Sequence, residues 1–402
     1  MDHAKTTANG EQRSVRFIAF YLPQFHPIPE NDAWWGKGFT EWANVTKTTP
    51  LFAGHKQPRL PAELGFYDLR LPEARQAQAE LAKEHGIEGF CYWHYWFQGK
   101  RLLERPFNEV LRSGQPDYPF CLAWANESWS RRWLGEDKDI LMGQSYSSSD
   151  DLNHIRWLLP VFADPRCIKV DGRPVFLIYR PKDLPDPRRT TDLFRRECVR
   201  SGLPEPFLIG SNSHCWDFDC RTLGFDGTLL FMPQLGNLPE FMIDGSSETR
   251  RKRNAQLGVD SDTLKLYDYE SALLSMLGNR RSYSHPVYPS IFINWDNVPR
   301  RGEHGIIIVN SSPTVFGKHL ANLADEVQQN PEDERFVFLN AWNEWAEGNY
   351  LEPDNWYGRG YLEEVRGVAR SMPSLKHLRS VPQQPRRSRG LFSTLVDRIT
   401  RK

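Results

Sequence analysis

The sequence has six cysteines, and none falls in a Cys-x-x-Cys pair, so it offers no convincing ligand spacing for structural zinc. Cys91 and Cys121 lie inside apolar, strand-like runs and read as small buried hydrophobes. Net charge is missing too. The 51 basic residues balance 51 acidic ones for a formal charge of +0, so no global field points to nucleic acid as a partner. No apolar run approaches transmembrane length. The first 14 residues, MDHAKTTANGEQRS, lack an apolar signal-peptide core and read as a disordered lead-in. These absences together predict a cytoplasmic body with reduced thiols. There is no internal repeat, and no Gly-rich phosphate loop stands out. Aromatic residues, by contrast, are abundant at 13%, with 14 Trp. That is more indole than a core of this size needs, and the surplus predicts a ligand groove.

Buried strands are expected at 15–22, 89–95, 119–124, 174–179, 207–211, 227–231, 288–293 and 336–339, each a short apolar run bounded by polar residues. Helical patterns alternate with them at 72–85, 107–113, 151–162, 191–200, 262–277, 314–329 and 359–369. Residues 23–42 read as a long ordered loop and 248–253 as a charged exposed stretch. Eight strands alternating with helices predict an α/β fold, a (β/α)8 TIM-type barrel with long βα loops. The weak point is the region between 211 and 227, which carries little helical signal, and a doubly wound open sheet is the competing topology. The barrel is preferred because polar and aromatic residues repeatedly follow the strand ends. In a barrel those ends converge on one pocket.

The richest strand end is FVFLNAWNEWAEGNYLEPD at 336–354. Asn340, Asn343, Glu344, Glu347 and Glu352 crowd it, with Trp342 and Trp345 among them. Carboxylates beside indoles suit a sugar: ring faces stack on pyranose C–H surfaces while carboxylates do acid and base work at the glycosidic oxygen. Glu344 and Glu347, three residues apart, project to one side if the chain turns helically there. Two close carboxyls rarely share a pKa, so one is expected to keep its proton as acid while its neighbour acts as base. The competing reading has these glutamates capping a helix start and the tryptophans in the core.

The other strand ends supply the expected substrate-binding residues. They are Tyr21, Gln24 and His26, then Trp34, Trp35, Glu41 and Trp42 of the first loop, and Trp93, His94 and Tyr95 after the second strand. Trp124, Asn126, Glu127, Arg180, Asn294 and Trp295 come from the middle of the chain, and Asn340, Trp342 and Asn343 from the last strand. His26 and His94 are as readily satisfied buried histidines as sugar ligands. Arg131, Arg132 and Arg180 are the basic groups to inspect if the substrate carries a phosphate.

Composition changes after Pro382, dividing the chain into the lead-in 1–14, a catalytic body 15–381 and a tail 382–402. From Gly390 to Lys402 (GLFSTLVDRITRK) apolar residues fall at helical spacing beside Arg398, Arg401 and Lys402. Such a basic amphipathic segment can lie on an anionic membrane surface, here the inner face, or else pack on the barrel or extend into solvent.

Five blocks carry a family resemblance: FYLPQFHPIPENDAWWGKGFTEW at 20–42, YWFQGKRLLERP at 95–106, WANESWSRRW at 124–133, RPVFLIYRP at 173–181 and NAWNEWAEGNYLEPD at 340–354. They resemble the WbsX-type glycosyltransferases associated with bacterial surface-polysaccharide (O-antigen) biosynthesis, also described as glycoside hydrolase family 99-like. The core NEWxEG, 343–348, is similar to the catalytic motif of family 99 endo-α-mannosidases. The resemblance implies a retaining enzyme that needs neither metal nor cofactor and acts on an oligosaccharide or lipid-linked glycan. It implies Glu344 as base on the sugar 2-hydroxyl and Glu347 as acid/base on the leaving oxygen. One position departs from the hydrolases, which usually carry His where this chain has Ala346.

Overall fold

The computed structural model describes residues 15–131, 136–213, 218–238, 246–278 and 283–371. The lead-in, the tail with its expected membrane-facing segment, Arg132 and Cys215 lie outside them.

Eight parallel strands close into a barrel. In chain order they are β1 (Arg16–Tyr21), β2 (Gly89–Phe97), β3 (Phe120–Trp124), β4 (Arg173–Ile178), β5 (Phe207–Ser211), β6 (Gly227–Leu230), β7 (Val287–Phe292) and β8 (Phe336–Asn340). Each pairs with its sequence neighbour, and β1 closes the ring against β8, with Phe17 opposite Val337 and Ile18 opposite Phe338. Closure excludes the open sheet.

Helices follow strands at Pro72–Glu84, Arg105–Ser113, Ser148–Ala163, Pro187–Arg200, Tyr269–Gly278, Pro313–Glu326 and Gly360–Ser371. Several have side-chain caps that satisfy orphan N–H groups of the first turn. Ser147 accepts from Asp150 N, Asp186 from Arg189 N and Ser312 from Val315 N. Between β5 and β6 the described residues form a 3-10 turn, Cys220–Leu223, and no α-helix, in keeping with the weak helical signal there.

Alternation along the strands splits the core into two shells. Ile18, Phe20, Cys91, Cys121, Ala123, Phe336 and Phe338 fill the barrel interior. Their neighbours Phe17, Ala19, Tyr21, Phe90, Tyr92, Trp124, Val337 and Leu339 pack outward under the helices. Burying each large side chain is worth about 1.5–3 kcal/mol, so a one-residue slip would exchange the shells at prohibitive cost.

Three segments differ from expectation. Residues 262–277 are not one helix. Lys265–Asp268 is a strand pairing in parallel with Ile306–Val309, which in turn pairs with Trp295–Asp296 in a small side sheet. Leu266 and Tyr267 are buried there, and Tyr269–Gly278 alone is helical. The loop 23–42 contains the helix Pro29–Trp35 and leads into a second at Glu41–Thr46. The charged stretch 248–253 lies within the helix Ser247–Gln256, with Ser246 capping it by accepting from Thr249 N.

Candidate active site

The carboxyl ends of the strands open into a cleft of about 770 Å³. Its acidic wall is built just beyond β8. Asn343 anchors the exit: its Oδ1 accepts from Leu22 N at 2.7 Å and its Nδ2 donates to Leu22 O at 3.0 Å. Asn343–Glu344 then pairs antiparallel with Asn349–Tyr350, and between them Trp345–Glu347 forms a 3-10 turn. Side chains at i and i+3 of such a turn eclipse, which places Glu344 and Glu347 on one side. Gly348, at φ +61°, closes the turn and donates its N–H to Trp345 O.

One guanidinium gathers the acids. Arg300, 8% exposed at its side chain, bonds Glu347 Oε1 through Nη1 at 2.5 Å and Glu344 Oε2 through Nη2 at 3.2 Å. The same Nη2 lies 3.2 Å from Glu41 Oε2. Glu41 is fully buried, and its Oε1 accepts from Gln24 Nε2 at 2.9 Å. Arg300 sits on a single turn, Val298–Arg301, held in place by the preceding residues. Asp296 Oδ1 accepts from Val298 N at 3.2 Å and Asn297 Oδ1 from Ile306 N at 2.7 Å. Asp296 is in turn fixed by His55 Nε2 at 2.8 Å and Gln57 Nε2 at 2.7 Å.

Electrostatics follow from crowding three carboxyls around one cation out of water. Burial, then the charge of Glu347, push Glu344 up to about 8, although Arg300 pulls it back. Burial also raises Glu347 against the pull of Arg300, and Glu41 behaves likewise. Burial works against the Arg300 charge, but the three acids more than compensate and raise its pKa further. The cluster therefore holds at least one proton at neutral pH and titrates as a unit.

Of the residues expected from sequence, Gln24, Trp35, Trp93, Tyr95, Glu127, Trp295 and Asn340 line the cleft together with Glu344 and Glu347. Trp93 points into the barrel mouth and stacks on Phe20 at 4.9 Å between ring centroids. Glu127 accepts from Arg180 Nη1 at 3.0 Å, and Glu41 supports the acids from behind Arg300.

The other expected residues do not line this cleft. Tyr21 and Trp124 are on the outward parity of their strands, with Tyr21 Oη donating to Gln78 Oε1 at 2.7 Å. His94 also faces outward, stacked on Trp157 at 4.7 Å and 2.9 Å from His154 Nε2. His26 is buried away from the cleft, and burial lowers it to about 4, so it stays neutral. Trp42 donates to Tyr67 O at 2.9 Å in the core, and Trp342 is fully buried against Phe90. Trp34 packs edge-on against Trp129. Asn126, Asn294 and Asn343 bond backbone: Asn126 to Arg180, Asn294 to Trp295 N, Asn343 to Leu22. Glu352, crowded near the acids in sequence, instead accepts from Tyr67, Gln78 and Trp345 away from the cleft.

Sequence reasoning missed Arg300, Arg301, Asn297, Phe231 and Gln234, all of which line the cleft. The strand-end signal Asn294–Asp296 stopped four residues short of Arg300. The basic pair beyond it was the available clue. No group of three or more His, Cys, Asp or Glu side chains among the described residues could hold a metal ion.

The mouth of this (β/α)8 barrel thus combines paired carboxyls with Trp35, Trp93 and Trp295. The chain belongs to the WbsX glycosyltransferase family, whose model matches residues 17–365. It is 42% identical over 375 residues to the uncharacterized protein WxcX of Xanthomonas campestris pv. campestris, in strains B100 and ATCC 33913. That match covers 92% of this chain and 52% of WxcX, so the chain spans about half the length of the relatives it matches. In fold it resembles the GH99 endo-alpha-mannosidase of Bacteroides thetaiotaomicron, with TM-score 0.53 and 15% identity, covering 89% of this chain and 98% of that one. The same enzyme in complex with bis-tris propane gives TM-score 0.51 at 14% identity, covering 89% and 97%.

Proposed function

We propose that the protein forms or cleaves a glycosidic bond with retention, acting on an oligosaccharide or lipid-linked glycan in bacterial surface-polysaccharide assembly on the cytoplasmic side. The observation that carries this reading is the joint presentation of Glu344 and Glu347 to one cleft by a single turn and a single guanidinium. Glu344 takes the proton of the sugar 2-hydroxyl, whose oxygen closes on C1. The leaving oxygen departs with a proton from Glu347. In the second half-reaction the incoming hydroxyl gives its proton to Glu347 and its oxygen bonds C1. The O2–C1 bond breaks, and O2 recovers its proton from Glu344. Two inversions at C1 give net retention.

This division needs Glu344 ionised when substrate is bound, and a base whose pKa is displaced to about 8 matches its task near neutral pH. Trp93 and Trp295 line the cleft, and aromatic rings there suit the C–H surfaces of a sugar. Transfer and hydrolysis differ only in whether an acceptor hydroxyl or water completes the cycle. The GH99-like fold favours hydrolysis of an α-mannoside as the second reading. Against it, Ala346 is fully buried and supplies no polar contact beside Glu347 where those hydrolases carry His.

Incubating the protein with candidate oligosaccharides and lipid-linked glycans tests the proposal. Elongated products indicate transfer, and new reducing ends indicate hydrolysis. Glycan binding with no turnover on any of them would make this a non-catalytic glycan-binding barrel.

A further inference from the structure

Three amide side chains line the cleft, and each is tied to the protein at one end. Asn340, where β8 ends, donates from Nδ2 to Met232 O at 2.8 Å. Asn297, just before the Arg300 turn, accepts at Oδ1 from Ile306 N at 2.7 Å. Gln24, beyond β1, donates from Nε2 to Glu41 Oε1 at 2.9 Å. A carbonyl only accepts and a backbone N–H only donates, so the partners of Asn340 and Asn297 fix which end of each amide is tied and which is left for the cleft. The other ends, Asn340 Oδ1, Asn297 Nδ2 and Gln24 Oε1, have no hydrogen-bond partner among the described residues. Asn340, Asn297 and Gln24 are only 5%, 7% and 4% exposed. A polar group that deep calls for a partner, because leaving it unpaired costs its full desolvation.

We infer that these three groups read the hydroxyls of a sugar held in the cleft with Glu344 and Glu347, and that they require those hydroxyls to be free. Asn340 Oδ1 and Gln24 Oε1 are acceptors. An O–H satisfies each of them, whereas an ester oxygen, an ether oxygen or a C–H does not. Asn297 Nδ2 is a donor and takes a sugar oxygen. An O-acetylated, O-methylated or deoxygenated position therefore leaves a buried acceptor unpaired, which is how a site made for hydroxyls rejects an analogue without them. The tethers matter as much as the free ends. An amide already held at one end has little side-chain freedom left to lose when the sugar binds. The three groups come from the exit of β1, the residue after the side-sheet strand Trp295–Asp296 and the end of β8, parts of the chain that meet only in the closed barrel. This inference rests on the glycan reading above and narrows its substrate to a sugar not yet capped. Any reaction that acylates or methylates the recognised positions must then follow this one.

Calorimetric titration tests it. The full chain carrying Glu347→Gln, expected to bind without turnover, is titrated with di- to tetrasaccharides of mannose, glucose, galactose and their 2-acetamido forms. The tightest binder is then compared with its monodeoxy and mono-O-methyl analogues, one hydroxyl at a time. At least one hydroxyl should prove indispensable, with binding about tenfold weaker or more for both of its analogues. Adding Gln24→Met keeps the length of that side chain and removes both polar ends. It should weaken the parent saccharide by a similar factor, yet leave the binding of one deoxy analogue unchanged. Loss of a merely structural prop would weaken parent and analogues alike. If Gln24→Met loses its thermal transition, Asn297→Asp serves. That change keeps the acceptor for Ile306 N, exchanges only the free donor, and should show the same selective loss. Equal binding of the parent and all its analogues, or an equal loss across parent and analogues in the variant, overturns this inference alone. No affinity for any saccharide of the panel overturns it together with the glycan reading.

Discussion

Glu347 and Glu344 occupy adjacent places on Arg300, yet the proposed chemistry gives them separable signatures. Glu347→Gln keeps the shape and a hydrogen-bonding head but has no proton to deliver. Turnover should fall by about 10²–10⁴-fold, the usual worth of a general acid or base, with glycan affinity retained in a binding assay. Glu344, displaced upward by burial and by Glu347, should impose a rate that climbs with pH through about 8. A rate falling through that range would exchange the two roles. Arg300→Met leaves Glu41, Glu344 and Glu347 without their shared cation. It should lower stability to urea by about 3–5 kcal/mol, the cost of removing one partner from a buried pair. The rise in rate that Glu344 governs should move to higher pH in the same variant, a readout that simple destabilisation would leave in place. At this scale the glutamates were legible because NEWxEG is compact in sequence. Arg300 was not, because its pairing with Glu344 crosses 44 residues and depends on the turn beside the side sheet.

Individual elements decide which strand-end residues reach the cleft. Parity does the sorting: Trp93 and Asn340 line the cleft mouth, while Tyr21, His94 and Trp124 face the helices. Parallel strands buried on both faces read as near-continuous apolar runs, so their parity is invisible until the register is known. The 3-10 turn Trp345–Glu347 depends on Gly348, whose φ of +61° disfavours any Cβ. A Cβ there would also lie 3.0 Å from Asp296 Cβ and 3.1 Å from Asp296 N, both on the short strand just before the Arg300 turn. Gly348→Ala should cost about 1–2 kcal/mol in thermal unfolding from the left-handed backbone alone. It should reduce turnover by more than that instability accounts for, because both sides of the Arg300 clamp shift. The helical pattern over 262–277 misled because Leu266 and Tyr267 are buried by cross-strand neighbours far away in sequence, Ile307 and Ile308.

For the whole molecule, the proton held by Glu344 links folding to pH. Between its ordinary value of 4.5 and about 8, Glu344 is ionised in the unfolded chain and protonated in the folded one. The folded state then binds more protons, so stability falls as pH rises across that window. Each pKa unit is worth about 1.4 kcal/mol, and Glu344→Gln should show a visibly shallower decline in denaturant midpoint over the same range. No helix among the described residues is long and apolar enough to cross a membrane. The segment from Gly390 to Lys402 remains a proposed surface contact. The full chain should float with anionic liposomes, and a chain ending at Pro382 should not; equal flotation removes the proposal. By itself the sequence determined the alternation of strand and helix, the barrel and the acidic turn, because each is written in local apolar period and contiguous motif. Only the tertiary structure decided which aromatic residues line the cleft and which cation gathers the acids. Those depend on strand register, on ring closure and on charges brought together across hundreds of residues, none of which leaves a local trace in the chain.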